Sequence, residues 1–340
     1  MTRRLECVLL AHGSGGRLTR DLIAGSFLPA LLNPYLAPLA DAAVLPELPP
    51  GRPALTTDAF VVDPPRFPGG DIGYLSVCGT VNDLAMAGAR PLWLTWALIL
   101  EEGLEGALLE TCVEGAARAS RETGVTVVAG DTKVVPKGKG DRLFVTTAGL
   151  GVVPPGRDVG DHRICPDDAI VVSGPIGDHG ATVLASRHEL DAPRLCSDCA
   201  PLSALVESVF AAGIAVHSLH DPTRGGVLSV CHEVAARSGL GLRLFESALP
   251  VRPPVRAVCD LLGLEVLSLA CEGRLLAWVP ADQAEAAVRA MRTHPQGEGA
   301  SVIGRVDQVR PHGVPVVLET RIGGLRPMDD LSGMDLPRIC

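Results

Sequence analysis

Three consecutive stretches decide the fold class: PLWLTWALILEE (91–102), LEGALLETCVEGAARASRETG (104–124) and GVTVVAG (124–130). The first is an apolar run without helical period and reads as a buried strand. In the second, Leu104, Leu108, Cys112, Ala116 and Ala119 recur on one helical face, and Gly124 is a natural stop. The third is short and β-branched, a strand again. Strand, helix and strand in that order predict layered α/β architecture.

The alternation continues outward. PALTTDAFVVD (53–63) and LFVTTAGLGVV (143–153) read as strands, and GYLSVCGTVNDLAMAGA (73–89) as helix. Pro154, Pro155, Gly156, Arg157, Asp158 and Gly160 form a linker-like break. Beyond it, 168–174, 274–280, 301–309 and 314–320 read as strands. Helices are expected over 203–213 and 281–294, and another after Gly225-Gly226. With 340 residues, two domains are the prior. The boundaries read as 1–155, 165–322 and a flexible tail over 323–340.

A net charge of −9 argues against a nucleic-acid surface but not against a nucleotide held by Mg²⁺ and backbone amides. The longest apolar run, Pro91 to Leu100, is about half a membrane span. The opening residues lack a signal-peptide core, so a cytoplasmic protein with ten reduced cysteines is expected. No 20–50-residue repeat is visible.

Several familiar motifs fail. Lys137-Gly138-Lys139-Gly140 lacks P-loop spacing, and GLGVVP (149–154) ends in proline where a dinucleotide fingerprint needs glycine. HEVAA (232–236) has Ala236 where a zincin needs histidine. Cys196-Ser197-Asp198-Cys199 supplies only half of a zinc shell.

What remains is acidic and glycine-rich. Asp58, Asp83, Asp131 and Asp221 lie near strand ends or beside glycine, where carboxylates can share a magnesium ion bound to phosphate. Turn and cap chemistry alone would also place aspartates there. Lys133 follows Gly130-Asp131-Thr132 and is placed to meet a phosphate or a polarised carbonyl; a solvated loop lysine is the plain alternative. HGSGGR (12–17) and Arg224-Gly225-Gly226 can turn N–H groups toward an anion. The chain ends in Cys340, a thiol on a tail and a good acyl acceptor.

Together these motifs closely resemble the HypE family of hydrogenase expression/formation proteins. These are carbamoyl dehydratases among the aminoimidazole-ribonucleotide-synthetase-like (PurM-like) ATP-binding proteins. The resemblance runs through HGSGG (12–16), TTDAFVVDP (56–64), FPGGDIG (67–73), GTVNDLAMAGA (79–89), ILEEGL (99–104) and GDTKVV (130–135). It continues through SGPIGDHG (173–180), SDCAPL (197–202), DPTRGGV (221–227), ALPV (248–251) and the terminal PRIC (337–340). The tract 281–320 matches by pattern only.

The resemblance implies two α/β domains, the first binding ATP and pairing its sheet with that of a second copy. It implies that Cys340 receives a carbamoyl group from the carbamoyltransferase HypF. ATP then dehydrates the group to a thiocyanate, and cyanide passes to iron on a HypC–HypD scaffold. Glu272 matches the position that contacts the carbamoyl nitrogen, and Lys133 the one that neutralises the carbonyl oxygen. Asp58, Asp83, Asp131 and Asp221 match Mg²⁺ positions. Gly13, Ser14, Gly15, Gly16, Asn82, Asp83, Thr132, Arg224, Gly225 and Gly226 match nucleotide contacts. Two rivals stand beside this reading. One is a small-molecule enzyme of the same superfamily, of selenophosphate synthetase or thiamine-monophosphate kinase type. The other is a non-enzymatic carrier or docking protein.

Overall fold

The computed structural model describes residues 5–310 and 313–330. Cys340 therefore lies outside the described residues. The first unit contains α1 (Gly16–Leu22), α2 (Leu28–Leu31), β1 (Arg52–Phe60), β2 (Arg66–Phe67), β3 (Gly70–Asp71) and α3 (Ile72–Met86). It continues with β4 (Arg90–Glu101), α4 (Gly106–Thr123), β5 (Thr126–Val135) and β6 (Leu143–Val153). Its sheet has the order β1-β6-β4-β5. The β4–β5 pair is parallel, as a strand–helix–strand crossover requires, and the other two pairs are antiparallel.

The second unit contains β7 (Ala169–Val172), α5 (Asp178–Arg187), α6 (Ser203–Ala211), β8 (Ser218–His220), α7 (Gly226–Ser238) and β9 (Gly241–Phe245). Then follow α8 (Pro253–Leu262), β10 (Leu276–Val279), α9 (Ala284–Arg292), β11 (Ser301–Asp307), β12 (Val316–Glu319) and β13 (Leu325–Pro327). Its sheet runs β13-β12-β9-β11-β7-β10-β8. Among the described residues no helix is long and apolar enough to cross a membrane.

The tail reading from residue 323 needs correction. Leu325–Pro327 pairs antiparallel with β12, and Met328 is buried against the second core. Three residues are too few to show a period, so the strand was invisible to pattern.

α3 positions the site. Asp71 caps its start, accepting the Tyr74 N–H at 2.9 Å. Nearly all of its residues are buried, because it lies between its own sheet, α4 and the second unit. A helix covered on every side has no polar stripe. At the seam, Arg157 bonds Glu207, donates to the Gly88 carbonyl and stacks on Phe210. Arg90 reaches the same Glu207 at 3.1 Å. The linker is thus a clamp between the two units.

Candidate active site

Pairing of β1 with β6 aligns Asp58 with Thr147, both on the face toward α3. There Thr80 donates to Asp58 at 3.2 Å, and Thr56 donates to Asp83 at 2.7 Å. Asp221 follows β8, at the foot of α7. α7 begins at Gly226, where φ is +60° and a Cβ would lie 2.5 Å from the Leu267 and Leu269 carbonyls. Glycine is required there. Arg224 projects at this turn and its charge acts on Asp58, Asp83 and Glu272.

Glu272 lies in the turn after Cys271. Its side chain is 3% exposed, and Oε1 is buried without a hydrogen bond. Its N–H donates to Asp198 Oδ1 at 3.1 Å, and its carbonyl accepts from Ala200 N–H at 3.3 Å. Desolvation first, then the charges of Asp221, Asp198 and Asp58, push its carboxyl well above the ordinary range. The same causes lift Asp83 to about 6, with Asp58 as its charged neighbour, and Asp221 to about 8. Burial also raises Asp58. These acids resist ionising together, and Arg224 alone does not balance them. An unbonded buried oxygen beside acids that share protons fits a divalent cation with oxygen ligands.

The expected set of four aspartates does not form in one chain. Asp131 sits on β5, where the register runs Asp58, Thr147, Trp96, Gly130 across the sheet. Three strand spacings put it on the order of 14 Å away, and alternation puts its side chain on the other face. There its carboxylate holds Lys133 Nζ at 2.7 and 2.8 Å, which lowers the Asp131 pKa. Among the described residues no three His, Cys, Asp or Glu side chains are arranged to hold a metal.

A second group surrounds Asp131. A Cβ on Gly13 would lie 2.5 Å from Val134 N, so only glycine lets the 12–16 loop lie against β5. Ser14 in that loop is exposed, and Gly15 and Gly16 lead into α1. An apolar cavity of about 160 Å³, lined by Phe27, Leu31, Trp96 and Leu98, opens at Asp131 and Thr132. Lys133 and Glu272, matched to one carbamoyl group, therefore belong to separate halves of the chain's site.

Asn82 also departs from expectation. Both of its amide functions engage protein backbone, so its donors do not face a nucleotide. Sequence reasoning passed over Asp198, which is buried and 3.6 Å from Arg274. Its only signal was membership in the Cys196–Cys199 stretch. Cys196 is exposed and Cys199 is buried beside Cys78. The nine described cysteines are all free.

The comparisons decide between the readings that these groups leave open. Residues 39–153 match the AIR synthase related protein N-terminal domain, and residues 166–316 its C-terminal domain. Carbamoyl dehydratase HypE of Rhodobacter capsulatus is 49% identical over 344 residues, covering 100% of both chains. That of Azotobacter vinelandii is 50% identical over 334 residues, covering 98% of this chain and 97% of its own. The chain belongs to the HypE family of carbamoyl dehydratases.

Solved structures agree. Hydrogenase maturation protein HypE in complex with ATP superimposes with a TM-score of 0.92 at 44% identity, covering 98% of this chain and 99% of its own. A HypE–HypF complex gives 0.79 at 42% identity, covering 92% and 99%. Thiamine monophosphate kinase of Aquifex aeolicus reaches 0.60 at 21% identity over 81% and 89%, which is a likeness of fold alone. Full-length identity thus places the chain with HypE rather than with the kinase rival.

Proposed function

We propose that the chain carries a carbamoyl group on Cys340 and dehydrates it with ATP to a thiocyanate, the source of a cyanide ligand for hydrogenase iron. The observation that carries this reading is Glu272, a buried carboxyl with one oxygen unbonded, set near Asp221, Asp198 and Asp58. It is the right kind of group to take protons from a nitrogen in a dry site.

The carbamoyl thioester S–C(=O)–NH₂ must lose its oxygen and both protons on nitrogen. Hydroxide leaves poorly and phosphate leaves well. Attack of the carbonyl oxygen on the ATP γ-phosphorus breaks the bond to ADP, while Glu272 takes one proton from nitrogen. The second proton then passes to the departing phosphate as the C–O bond breaks and the C≡N bond closes. Asp58, Asp83 and Asp221, joined by Asp131 of a second copy, would hold Mg²⁺, which would supply charge neutralisation at the transferring phosphoryl. Cation binding also favours the ionised, basic form of Glu272. Lys133 meets the carbonyl oxygen once Asp131 releases it.

The reading is completed by a homodimer. The open face of the first sheet exposes Leu55 and Ile99, and Asp131 and Lys133 stand on that same side. β5, which carries Asp131 and Lys133, and β1, which carries Asp58, are the two edges of this sheet, so pairing two copies lets Lys133 of one protomer approach the edge beside which the other holds its acidic cluster. HypF is the carbamoyl donor, as a HypE–HypF complex suggests, and HypC–HypD takes the cyanide in the cytoplasm.

The test is the mass of the C-terminal peptide after carbamoyl transfer, before and after Mg-ATP. One carbamoyl gained on Cys340, then one water lost, supports the reading. An unmodified Cys340 with an active transferase overturns it.

A further inference from the structure

Asn82 and Asp83 are neighbours on α3 but face different partners. Asp83 accepts from Thr56 and shares the acidic cluster with Asp58. Asn82 is 1% exposed and turns toward the second unit. Its Nδ2 donates to the Ala200 carbonyl at 3.1 Å and to the Glu272 carbonyl at 3.4 Å. Its Oδ1 accepts the Leu202 N–H at 2.7 Å. Both amide hydrogens are thereby used.

These bonds reach two segments that also bond each other. Ala200 N–H donates to the Glu272 carbonyl, and Glu272 N–H to Asp198. The backbone of Glu272 is held at both ends, while one oxygen of its side chain remains unbonded. We infer that Asn82 is a positioning residue for Glu272, fixing from the first domain the backbone that carries the buried carboxylate. Over four residues α3 touches Asp58 through Thr80, the Glu272 segment through Asn82, and Thr56 through Asp83. One helix thus sets the distance between the acidic cluster and the base. This rests on the reading of Glu272 given above.

Asn82→Asp separates positioning from simple domain adhesion. It keeps the shape and the acceptor for Leu202, but turns an oxygen toward two carbonyl oxygens. The protein is carbamoylated on Cys340, and ATP affinity and single-turnover dehydration at saturating Mg-ATP are measured between about pH 6 and 9. Circular dichroism checks folding, and Glu272→Gln runs alongside. The expected result is ATP affinity within about twofold, intact carbamoyl acceptance, and dehydration slowed about 100-fold with a displaced pH profile. In the Glu272→Gln background, Asn82→Asp adds no further loss. Should Asn82→Asp not fold, Asn82→Ser, which keeps one donor, is read by the same criteria.

A folded variant with wild-type rate and pH profile beside an inactive Glu272→Gln overturns the inference alone. So does a loss confined to ATP affinity, which would make Asn82 a nucleotide contact. Normal dehydration by Glu272→Gln overturns the reading of Glu272 and the inference with it.

Discussion

Asp198 lies directly beneath Glu272: its Oδ1 accepts the Glu272 backbone N–H at 3.1 Å, and its Oδ2 lies 3.6 Å from Arg274 Nε. One carboxylate therefore anchors the segment that carries another. Burial raises the pKa of both. Two buried acids on adjoining segments are costly to the fold unless they are hydrogen-bonded or neutralised. Arg274 answers for Asp198. Among the described residues, no hydrogen bond reaches Glu272 Oε1, the oxygen on which the proposed proton transfer relies.

Glu272→Gln is expected to bind ATP and accept carbamoyl normally, and to slow dehydration by about 10²–10⁴. The amide keeps the shape but cannot take a proton. Rapid-quench measurement of thiocyanate on Cys340 checks it, and an undiminished rate would remove Glu272 from the reaction.

Acidity sets a second expectation. Asp83 at about 6 and Asp221 at about 8 hold protons in the folded chain that they release when unfolded. The unfolded state then binds fewer protons, so stability falls as pH rises from about 4 through 8. Thermal melts of the chain free of nucleotide and metal should show this decline. Mg-ATP should flatten it, because a cation favours the ionised forms. Asp221→Asn should raise the melting temperature at pH 8 without ligand, a gain on the order of 1–3 kcal/mol, while weakening Mg-ATP binding. A melt independent of pH would contradict this picture.

Lys133 and Asp131 form an exposed pair on β5, so Lys133→Ala should change stability by less than about 0.5 kcal/mol. Dehydration should nonetheless collapse. If each site draws Lys133 from one protomer and Glu272 from the other, coexpressed Lys133→Ala and Glu272→Gln chains should recover about a quarter of wild-type activity. Half of the dimers would then be mixed, each with one intact site. No recovery would place both residues in the same protomer's site.

Cys340→Ala should retain ATP binding and accept no carbamoyl. Uptake of carbamoyl by that variant would mean that another thiol is the carrier.

Much of this was legible in the residues. The 91–130 run declared its strand, helix and strand, because a crossover helix keeps one apolar face toward its sheet. Asp58, Asp83 and Asp221 were visible as acids near strand ends or glycines. What the sequence hid was distance across the sheet. Asp131 looks equivalent to Asp58 by motif, yet three strand spacings and the strand's alternation separate them. Asn82 beside Asp83 looked like part of the same ligand set, but adjacent helix positions point in different directions. Glu272 has no periodicity or motif of its own and came only through the resemblance. β13 was too short to show any pattern.

The central claim is that the carbamoyl oxygen leaves as phosphate. Oxygen-18 in the carbamoyl carbonyl, carried on Cys340 and followed through one turnover with unlabelled Mg-ATP, tests it most directly. The account predicts one labelled oxygen in each inorganic phosphate released as thiocyanate forms. Unlabelled phosphate, with the label appearing in water, would contradict it.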